Sequence, residues 1–478
     1  MLGLLAGIFV LARILYAIFY KSYIWETKSS GFDFALSNLR ANQRNAYLEH
    51  AQTAFRILGN TWTTRSLGTS MIESIEPENL KAVFHADFPT WQQGNFRIKT
   101  FRPLLGYGIL SANGRAWEHS RALIKSAFKS YTADSTIYEK HIQNLVASLP
   151  RSSAEVVDLQ PYFLRLTMDI STDVLFGTSV FSLLPGSADF ADAYEIVKDN
   201  IFKDMQVYPL GWLRDHREAR AATKVVHDFV DGFIEKALAS ADAINEEEDQ
   251  GRRYKFLRQM ATELEDRTKL RMELLSLLLA GRDTTAALVS NMLYILAQRE
   301  DIRRKVQAEV ASLSGRFPRI DDLKRLQYLN CTVKESLRLH PVTPINSRTA
   351  ATDTTLPTGG GVSGTSPVFV PAGTQFVTSV HALHRREDLW GPDAAAFKPE
   401  RWANNTPAPW HYMPFLGGPR QCPGQGLALN ITLFTVARLL QIYEDILPAR
   451  SEPWQGAIAV TCWNANGAKV RLVPKDRT

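Results

Sequence analysis

The chain has 478 residues, of which 45% are hydrophobic and 22% are charged, so it is long and apolar enough to bury a large globular core. Its net charge of +6 is spread along the chain, without a basic run interleaved with aromatic residues, which makes nucleic acid a poor candidate partner. The three cysteines, Cys331, Cys422 and Cys462, form no CxxC pair. Their spacing argues against a structural zinc site and a disulfide framework, and it favours a reducing compartment.

The first predicted element is an apolar helix at the N-terminus. Residues 2–20 are interrupted only by Arg13, and a helix of this length spans roughly 28 Å, close to the ~30 Å hydrocarbon core of a membrane. The pattern predicts a membrane anchor over residues 1–21, followed by one domain over residues 22–478. Because Lys21 and Lys28 follow the apolar run, the positive-inside rule predicts a cytosolic domain. A cleaved secretory signal and a helix lying in the membrane surface remain alternatives.

Beyond the anchor, helical periodicity dominates and predicts a mainly α-helical domain with small β-sheets. Helices are predicted over residues 189–204, 217–239, 268–298, 301–312, 322–339 and 425–443. Short strands are predicted over residues 61–67, 71–75, 367–370, 375–380 and 470–473. Proline and glycine concentrate between residues 341 and 424, which predicts mostly loops and turns in that stretch. A loop-rich stretch of this length inside a compact domain usually serves function.

A polar cluster interrupts the apolar helix predicted over residues 274–296. The cluster reads Ala-Gly-Arg-Asp-Thr-Thr over residues 280–285, and a polar group inside a buried helix needs a partner. The hydroxyl of Thr284 can bond the carbonyl of Ala280, four residues back, and so loosen the helix. The alternative is that Asp283 caps the start of a new helix.

A glycine-rich loop with a cysteine precedes the helix that begins near Gln425. Residues 415–424 read Phe-Leu-Gly-Gly-Pro-Arg-Gln-Cys-Pro-Gly. Cys422 falls just before a helix N-terminus, where backbone N–H groups and the helix dipole favour a thiolate. Pro423 begins the helix without losing a hydrogen bond, and the paired glycines can let the backbone approach a flat ligand. The alternative is a buried cysteine in a glycine-rich turn.

This loop resembles the haem-binding loop of the cytochrome P-450 family, whose pattern is F-x-x-G-x-R-x-C-x-G. Phe415, Gly418, Arg420, Cys422 and Gly424 match every fixed position. The resemblance implies the cytochrome P-450 fold and haem b as cofactor, with Cys422 as the axial thiolate ligand of the iron. It also implies that Phe415 covers the sulfur and that Arg420 pairs with a haem propionate.

Further motifs carry the same resemblance. The polar cluster resembles the family's A-G-x-D-T signature, which implies that Thr284 holds a water that delivers protons to dioxygen and that Asp283 relays protons inward. Trp117 and Arg121 match the family's W-x-x-x-R, which contacts the haem propionates. Arg348 falls where another propionate-binding arginine is expected.

Three charged residues match a structural signature of the family. Glu335 and Arg338 resemble its E-x-x-R motif, and Arg401 lies in a segment that resembles its P-E-R-F/W partner. The resemblance implies a buried Glu–Arg–Arg network behind the haem, with a structural role.

The resemblance implies a monooxygenase that inserts one oxygen atom from O₂ into a C–H bond of a lipophilic substrate. Electrons are expected from NADPH through a separate flavoprotein reductase, because the chain shows no nicotinamide or flavin fingerprint. The expected location is the endoplasmic reticulum membrane, with the catalytic domain in the cytosol. The alternatives are an O₂-independent haem-thiolate isomerase or dehydratase, and a non-catalytic haem or lipid-binding protein. The first commonly lacks the acid–alcohol pair that this chain keeps in Asp283 and Thr284.

Several longer strings resemble one fungal branch, the alkane and fatty-acid hydroxylases. They cover residues 103–106, 117–123, 353–361 and 384–391. This likeness predicts terminal or near-terminal hydroxylation of a fatty acid or alkane. A tailoring monooxygenase of a fungal secondary-metabolite pathway is the alternative. By family placement, the pocket walls are expected from residues 95–109, 274–280, 342–345 and 459–463, which are mostly apolar.

Overall fold

Most of the chain is helical and its sheets are small. The computed structural model describes residues 31–66, 69–130, 134–185, 189–206, 210–242, 255–403 and 406–475. In chain order the α-helices are α1 Gly31–Gln43, α2 Tyr47–Leu58, α3 Pro77–Lys81, α4 Asn95–Leu105, α5 Gly114–Ser130, α6 Ser135–Ser148, α7 Leu159–Phe176, α8 Asp189–Gln206, α9 Arg217–Asp242, α10 Lys255–Glu263, α11 Arg267–Gln298, α12 Glu300–Ala311, α13 Ile320–Arg325, α14 Gln327–Leu339, α15 Val380–Leu383, α16 Glu387–Trp390 and α17 Gln425–Ile442. Short 3-10 or π-helical turns cover Ala82–Ala86, Leu210–Leu213, Pro399–Trp402 and Gly418–Arg420.

The strands form four separate sheets. In chain order they are β1 Thr61–Ser66, β2 Thr69–Ser74, β3 Trp91–Gln92, β4 Val157–Asp158, β5 Ile345–Ala350, β6 Thr354–Gly360, β7 Ser366–Val370, β8 Gln375–Ser379, β9 Tyr443–Pro448, β10 Gly456–Ile458, β11 Cys462–Asn464 and β12 Lys469–Pro474. The largest sheet has the order β1-β2-β8-β5-β3, in which β2 and β8 are parallel and the other pairs are antiparallel. The remaining sheets are β4-β12-β9 and the pairs β6–β7 and β10–β11.

Helix α11 runs through the centre of the fold. Its sequence is apolar on nearly every side, and a helix of that kind is stable only when it is surrounded by protein. Helices α7 and α17 pack against it, and the side chains of Phe163, Ile170 and Phe434 are buried in the same cluster as Val289 and Leu293 of α11. Each such side chain contributes about 1.5–3 kcal/mol when fully buried, so the apolar composition of α11 fixes it in the core.

The predicted helices are present within a few residues of their expected bounds, with one correction. The helix predicted over residues 322–339 is two helices, α13 and α14, separated at Leu326. No glycine or proline in the sequence marks this break. The start of α14 is stabilised instead by a side chain of another helix, α12. The carboxylate of Glu309 accepts the N–H groups of Tyr328 and Leu329, each at 2.9 Å, and so satisfies the first turn of α14.

The five predicted strands are present, but the sequence pattern missed others. Strands β3, β4, β10 and β11 have only two or three residues each, too few to show an alternating pattern. Strands β5 and β6 lie in the stretch 341–424, which the proline and glycine content predicts as mostly loops. That prediction is too strong, since four strands and two short helices occupy much of the stretch.

The predicted anchor over residues 1–21 lies outside the described residues, and the division into an anchor and a domain over residues 22–478 stays a prediction. Within the described ranges, α17 is the helix that is long and apolar enough to cross a membrane, judged by length and composition. In the structure 56% of α17 is buried, and Phe434, Val436 and Leu439 lie in the core. The apolar composition of α17 is therefore explained by its position in the core.

Candidate active site

The loop before α17 brings Cys422 to the start of that helix, where the residue keeps accessible surface. The Cys422 N–H donates to the carbonyl of Phe415 at 3.0 Å, which closes the loop. Phe415 itself is half-buried and packs against the core cluster around α11 and α17. The loop therefore holds the cysteine by a backbone bond at one side and by core packing at the other.

The two glycines of this loop lie close to neighbouring protein. The sequence predicts that they let the backbone approach a flat ligand. In the structure Gly418 has φ of +68°, and a Cβ atom there would overlap the carbonyl of Phe84. A Cβ atom on Gly417 would lie 2.6 Å from the ring of Trp410. Both glycines thus let the loop pack against neighbouring protein.

Opposing effects act on the pKa of the Cys422 thiol. The helix start favours a thiolate, and in the structure the Gly424 N–H and the guanidinium of Arg121 both act in that direction. Burial acts in the opposite direction and is the larger effect, so the pKa of the Cys422 thiol is raised. A metal ion bound to the sulfur would favour the thiolate further.

Trp117 and Arg121 of α5 both contact the cysteine loop. The guanidinium of Arg420 lies over the ring of Trp117, with its carbon 4.4 Å from the ring centroid. Arg121 Nη1 donates to the carbonyl of Gln421 at 2.6 Å, beside Cys422. The structure thus brings together four residues that the sequence predicted at one site, namely Trp117, Arg121, Arg420 and Cys422.

Arg348 joins the same group from the sheet, and the structure adds Arg97, which sequence reasoning missed. Burial, followed by the charges of Arg420 and Arg97, lowers the pKa of Arg348 to about 9. Burial, followed by Arg97 and Arg121, lowers the pKa of Arg420 to about 10. Burial alone lowers the pKa of Arg97 to about 10. We call these four residues, Arg97, Arg121, Arg348 and Arg420, the arginine cluster.

The described neighbours of the arginine cluster do not supply enough negative charge to compensate its positive charge. Arginine keeps its proton at neutral pH, so the lowered pKa values mean that the charges lie in a poorly solvated place without an anion. The described contacts of the cluster are to neutral groups: Arg97 Nε donates to Leu110 O at 3.0 Å and Arg420 Nη2 to Ala112 O at 2.8 Å. The Nε atoms of Arg348 and Arg420 are buried and have no hydrogen-bond partner among the residues that the structure describes. Such a site needs an anionic group.

Helix α11 carries both Thr284 and Asp283. The helix is continuous from Arg267 to Gln298, which excludes Asp283 as the cap of a new helix. The hydroxyl of Thr284 donates to the carbonyl of Ala280 at 2.6 Å, as expected. Thr284 and Ala280 are half-buried, whereas residues 273–279 and 285–293 of the same helix are buried, so accessible surface reaches the middle of the helix at this point. Asp283 lies on a buried face, with 1% of its side chain exposed.

A network of four charges ties Asp283 to helix α8. Asp283 lies 2.8 Å from Arg282 Nη1 and 3.5 Å from Lys198 Nζ, and both cations also pair with Glu195. Burial opposes the ionisation of Glu195, but Arg282 and Lys198 outweigh it and lower its carboxyl pKa. The two positive and two negative charges of this network cancel. Glu195, with 36% of its side chain exposed, is the member of the network that reaches solvent.

The predicted Glu–Arg–Arg network is present and buried. Glu335 and Arg338 are fully buried and share two hydrogen bonds of 2.8 Å, and Arg401 Nε lies 3.6 Å from Glu335. Glu335 also accepts hydrogen bonds from the Lys398 N–H and the Trp402 indole, each at 2.9 Å. The carboxylate therefore holds the end of α14 to the segment around residues 398–402.

A histidine connects this network to the cysteine loop. His384 Nδ1 lies 3.1 Å from the carbonyl of Arg338, and its Nε2 accepts the N–H of Met413 at 2.9 Å. Burial, with smaller effects from Arg338 and Arg385, lowers the His384 pKa to about 3. The ring is therefore neutral with its proton on Nδ1, and it holds the chain around Met413 to the end of α14.

The expected pocket walls approach one another in the structure. The N–H of Cys462 donates to the carbonyl of Val342 at 2.9 Å, which joins the 342–345 and 459–463 segments. Val460 packs against the cluster that contains Phe101 of α4 and Leu277 of α11. Apolar side chains from three of the predicted wall segments therefore lie in one cluster, and the 342–345 segment joins one of them through a backbone hydrogen bond.

Comparison with known proteins agrees with this arrangement. The chain matches the family model described as cytochrome P-450 over residues 32–457. It is 37% identical to the cytochrome P-450 monooxygenase himC of Aspergillus japonicus, over 95% of this chain and 83% of that relative. It is 38% identical to the cytochrome P-450 monooxygenase fsdH of Fusarium heterosporum, over 94% and 82% of the two chains. Identity to cytochrome P-450 52A12 of Debaryomyces hansenii is 33%, over 92% and 90%. Taken with the cysteine loop and the threonine of its central helix, these matches mean that the chain belongs to the cytochrome P-450 family of haem-thiolate monooxygenases.

Proposed function

We propose that this enzyme holds haem b with Cys422 as the axial ligand and with the arginine cluster on the propionates. The arginine cluster carries the proposal, because buried guanidinium groups without carboxylate partners need an anion, and haem carries two propionates. Cys422 is the thiol that lies beside this cluster. The charge of Arg121 favours its thiolate form, and Arg420 precedes it by two positions. Trp117 holds the Arg420 guanidinium by stacking, and Phe415 fixes the backbone of the cysteine.

Members of this family receive electrons from NADPH through a reductase, and bound haem supplies the iron that activates dioxygen. In this reaction, the side chains of the protein are proposed to supply the protons. The Thr284 hydroxyl gives its own proton to Ala280, so its lone pairs are available to hold a water. Asp283 Oδ2 lies 3.5 Å from Lys198 Nζ, and Lys198 also pairs with Glu195, so we propose that protons reach Asp283 from solvent along this network.

Replacing Thr284 tests the proton supply. We expect Thr284→Ala to fold and to bind haem, because alanine favours a helix and removes a single hydrogen bond. Electrons should be diverted from product to hydrogen peroxide, since the water held by the hydroxyl is lost. The measurement is the ratio of product and peroxide formed to NADPH consumed, with a reductase present.

Ser290→Ala is the matched control for this experiment. Ser290 lies on the same helix and donates to the carbonyl four residues back, Ala286, at 2.7 Å, but it is buried in the core away from the accessible surface at Thr284. This control should keep the wild-type coupling. Unchanged coupling in Thr284→Ala, or equal loss in both variants, would remove Thr284 from proton supply.

The substrate is proposed to be a long-chain fatty acid or alkane, oxidised at or near its end. The resemblance of residues 103–106, 117–123, 353–361 and 384–391 to fungal alkane and fatty-acid hydroxylases supports this proposal. The apolar walls around Phe101, Leu277 and Val460 also suit an aliphatic chain. Because terminal C–H bonds are stronger than internal ones, such an enzyme must hold the chain end in place and exclude other positions.

A graded series of chain lengths tests the substrate class. Each buried methylene contributes about 0.8 kcal/mol, so affinity should rise roughly fourfold per added carbon until the pocket is full. The measurement is the spectral shift on titration of purified enzyme with fatty acids and alkanes, followed by product analysis. Polycyclic compounds serve as the comparison class. If they bind and turn over while no chain length gives a terminal or near-terminal product, the tailoring alternative replaces the aliphatic one.

The proposal extends to partners and location. The electron donor is an NADPH-dependent flavoprotein reductase, and the co-substrate is dioxygen. Residues 1–21 are proposed to anchor the enzyme in the endoplasmic reticulum membrane, with the catalytic domain in the cytosol. The apolar run and the following Lys21 and Lys28 support this orientation.

A further inference from the structure

Glu273 is a buried carboxyl group on α11 that the proposed chemistry does not use. Only 5% of the residue is exposed, and no cation among the described residues forms an ion pair with it. Its Oε2 accepts the N–H of Ile109 at 3.0 Å, and its Oε1 lies within hydrogen-bond distance of the Ser120 hydroxyl. Glu273 therefore joins three separate parts of the fold: helix α11, helix α5 and the loop of residues 106–113 between α4 and α5.

The 106–113 loop lies directly against α11 on both sides of Glu273. A Cβ atom on Gly106, which has φ of +51°, would come within 2.9 Å of the Met272 side chain. A Cβ atom on Gly108 would overlap the Ser276 hydroxyl and lie 3.0 Å from the Met272 carbonyl. The two glycines thus allow a close approach, and Glu273 supplies the hydrogen bond that fixes the loop there.

The same loop supplies the contacts that hold two members of the arginine cluster. The carbonyl of Leu110 accepts Arg97 Nε at 3.0 Å, and the carbonyl of Ala112 accepts Arg420 Nη2 at 2.8 Å. Arg420 also lies 3.1 Å from the Asn113 side-chain oxygen. The positions of these three acceptors depend on where the loop sits on α11.

We propose that Glu273 is a positioning residue for the arginine cluster, because it fixes the 106–113 loop whose carbonyl groups orient Arg97 and Arg420. The inference rests on the proposed role of the cluster in binding haem propionates. Glu273 touches neither the guanidinium groups nor Cys422 in the described contacts, so it acts through the loop.

The Ser120 hydroxyl lies within hydrogen-bond distance of two acceptors, Glu273 Oε1 and the Ala116 carbonyl at 3.1 Å. It can therefore donate to Ala116 when a glutamine amide at position 273 donates to it. Burial raises the pKa of Glu273, whereas the hydrogen bonds from Ser120 and Ile109 and the nearby His119 act in the opposite direction.

Two substitutions of Glu273 separate positioning from simple packing. A glutamine amide can donate to Ser120 and accept from Ile109, so Glu273→Gln should behave as wild type. Glu273→Ala removes both bonds, and we expect haem transfer from the holoenzyme to excess apomyoglobin to accelerate roughly tenfold. Hydrogen exchange at the Ile109 amide, measured on the holoenzyme by mass spectrometry of peptides covering residues 106–113, should accelerate by a similar factor.

Asn291→Ala is the matched control. Asn291 is a buried polar residue of the same helix, and its side chain bonds His340 and Trp454 rather than the 106–113 loop. It should lower thermal stability without changing exchange at Ile109 or haem transfer. Equal acceleration of haem transfer by Asn291→Ala and Glu273→Ala would overturn the proposal, as would failure of Glu273→Gln to restore slow transfer. Should Glu273→Ala not fold, Ser120→Ala weakens the same junction from the other side and takes its place.

Adding Glu273→Ala to the double variant Arg97→Ala/Arg420→Ala distinguishes failure of this inference from failure of the proposed site. If Glu273 acts through these two arginines, the triple variant should release haem no faster than Arg97→Ala/Arg420→Ala, within about twofold. A further acceleration of haem release by Glu273→Ala in that double variant would overturn the link through the loop. If Arg97→Ala and Arg420→Ala both leave haem release unchanged, the arginine cluster does not bind propionates, whatever the exchange at Ile109.

Discussion

Cys422→Ala is expected to abolish the thiolate-haem spectrum of the reduced carbon monoxide complex. The red-shifted Soret band of such a complex requires sulfur on the iron, and alanine supplies no ligand. The measurement is the reduced carbon monoxide difference spectrum of purified protein, with total haem determined separately.

Cys331→Ala is the matched control for this substitution. Cys331 is half-buried near Trp390 and Trp402, away from the arginine cluster, and burial also raises the pKa of its thiol. This variant should keep the thiolate spectrum in full. A thiolate spectrum that persists in Cys422→Ala, or that is lost in Cys331→Ala, would show that the ligand has been misassigned.

Glu335→Ala is expected to lower stability by roughly 3–5 kcal/mol, because it leaves a buried arginine charge without its carboxylate. Arg338 is fully buried and would keep only the carbonyl groups of His384, Ala394 and Ala396 as partners. The Lys398 N–H and the Trp402 indole would lose their acceptor as well. The measurements are the yield of holoprotein and the midpoint temperature at which the Soret band is lost.

Glu300→Ala provides the comparison for a surface pair. Glu300 lies 3.4 Å from Arg304, but the two side chains are 68% and 55% exposed. Exposed pairs of this kind contribute little to stability, so this variant should give normal yield and an unchanged midpoint. Normal holoprotein yield from Glu335→Ala would mean that the Glu335–Arg338 pair is not what holds this part of the fold.

Sequence motifs predicted the cysteine loop, the Thr284–Asp283 pair and the Glu335 network because each combines rare residue types at fixed spacing. The sequence did not reveal Arg97 as a site residue, because it is one arginine in an ordinary amphipathic segment. Its significance depends on Arg348 and Arg420, which are distant in sequence. Glu195 and Lys198 also look like a surface pair three residues apart. Only tertiary packing shows that they meet Asp283.

The errors concerning backbone have a similar cause. The sequence showed that Gly417 and Gly418 need a close approach, but it could not show what they approach. The break at Leu326 depends on Glu309, a carboxylate on the preceding helix, and so no local signal marks it. The short strands depend on pairing partners for the same reason, since two or three residues carry no pattern of their own.

The balanced charges of Glu195, Lys198, Arg282 and Asp283 have a consequence for how this sequence can diverge. A single substitution that neutralises any one of them leaves an odd buried or half-buried charge, whereas paired changes of opposite sign keep the balance. The acid of the proton-supply pair is therefore constrained by residues of another helix as well as by its own chemistry. Substitutions at these four positions on α8 and α11 should therefore be strongly epistatic, so that the four residues change together in evolution.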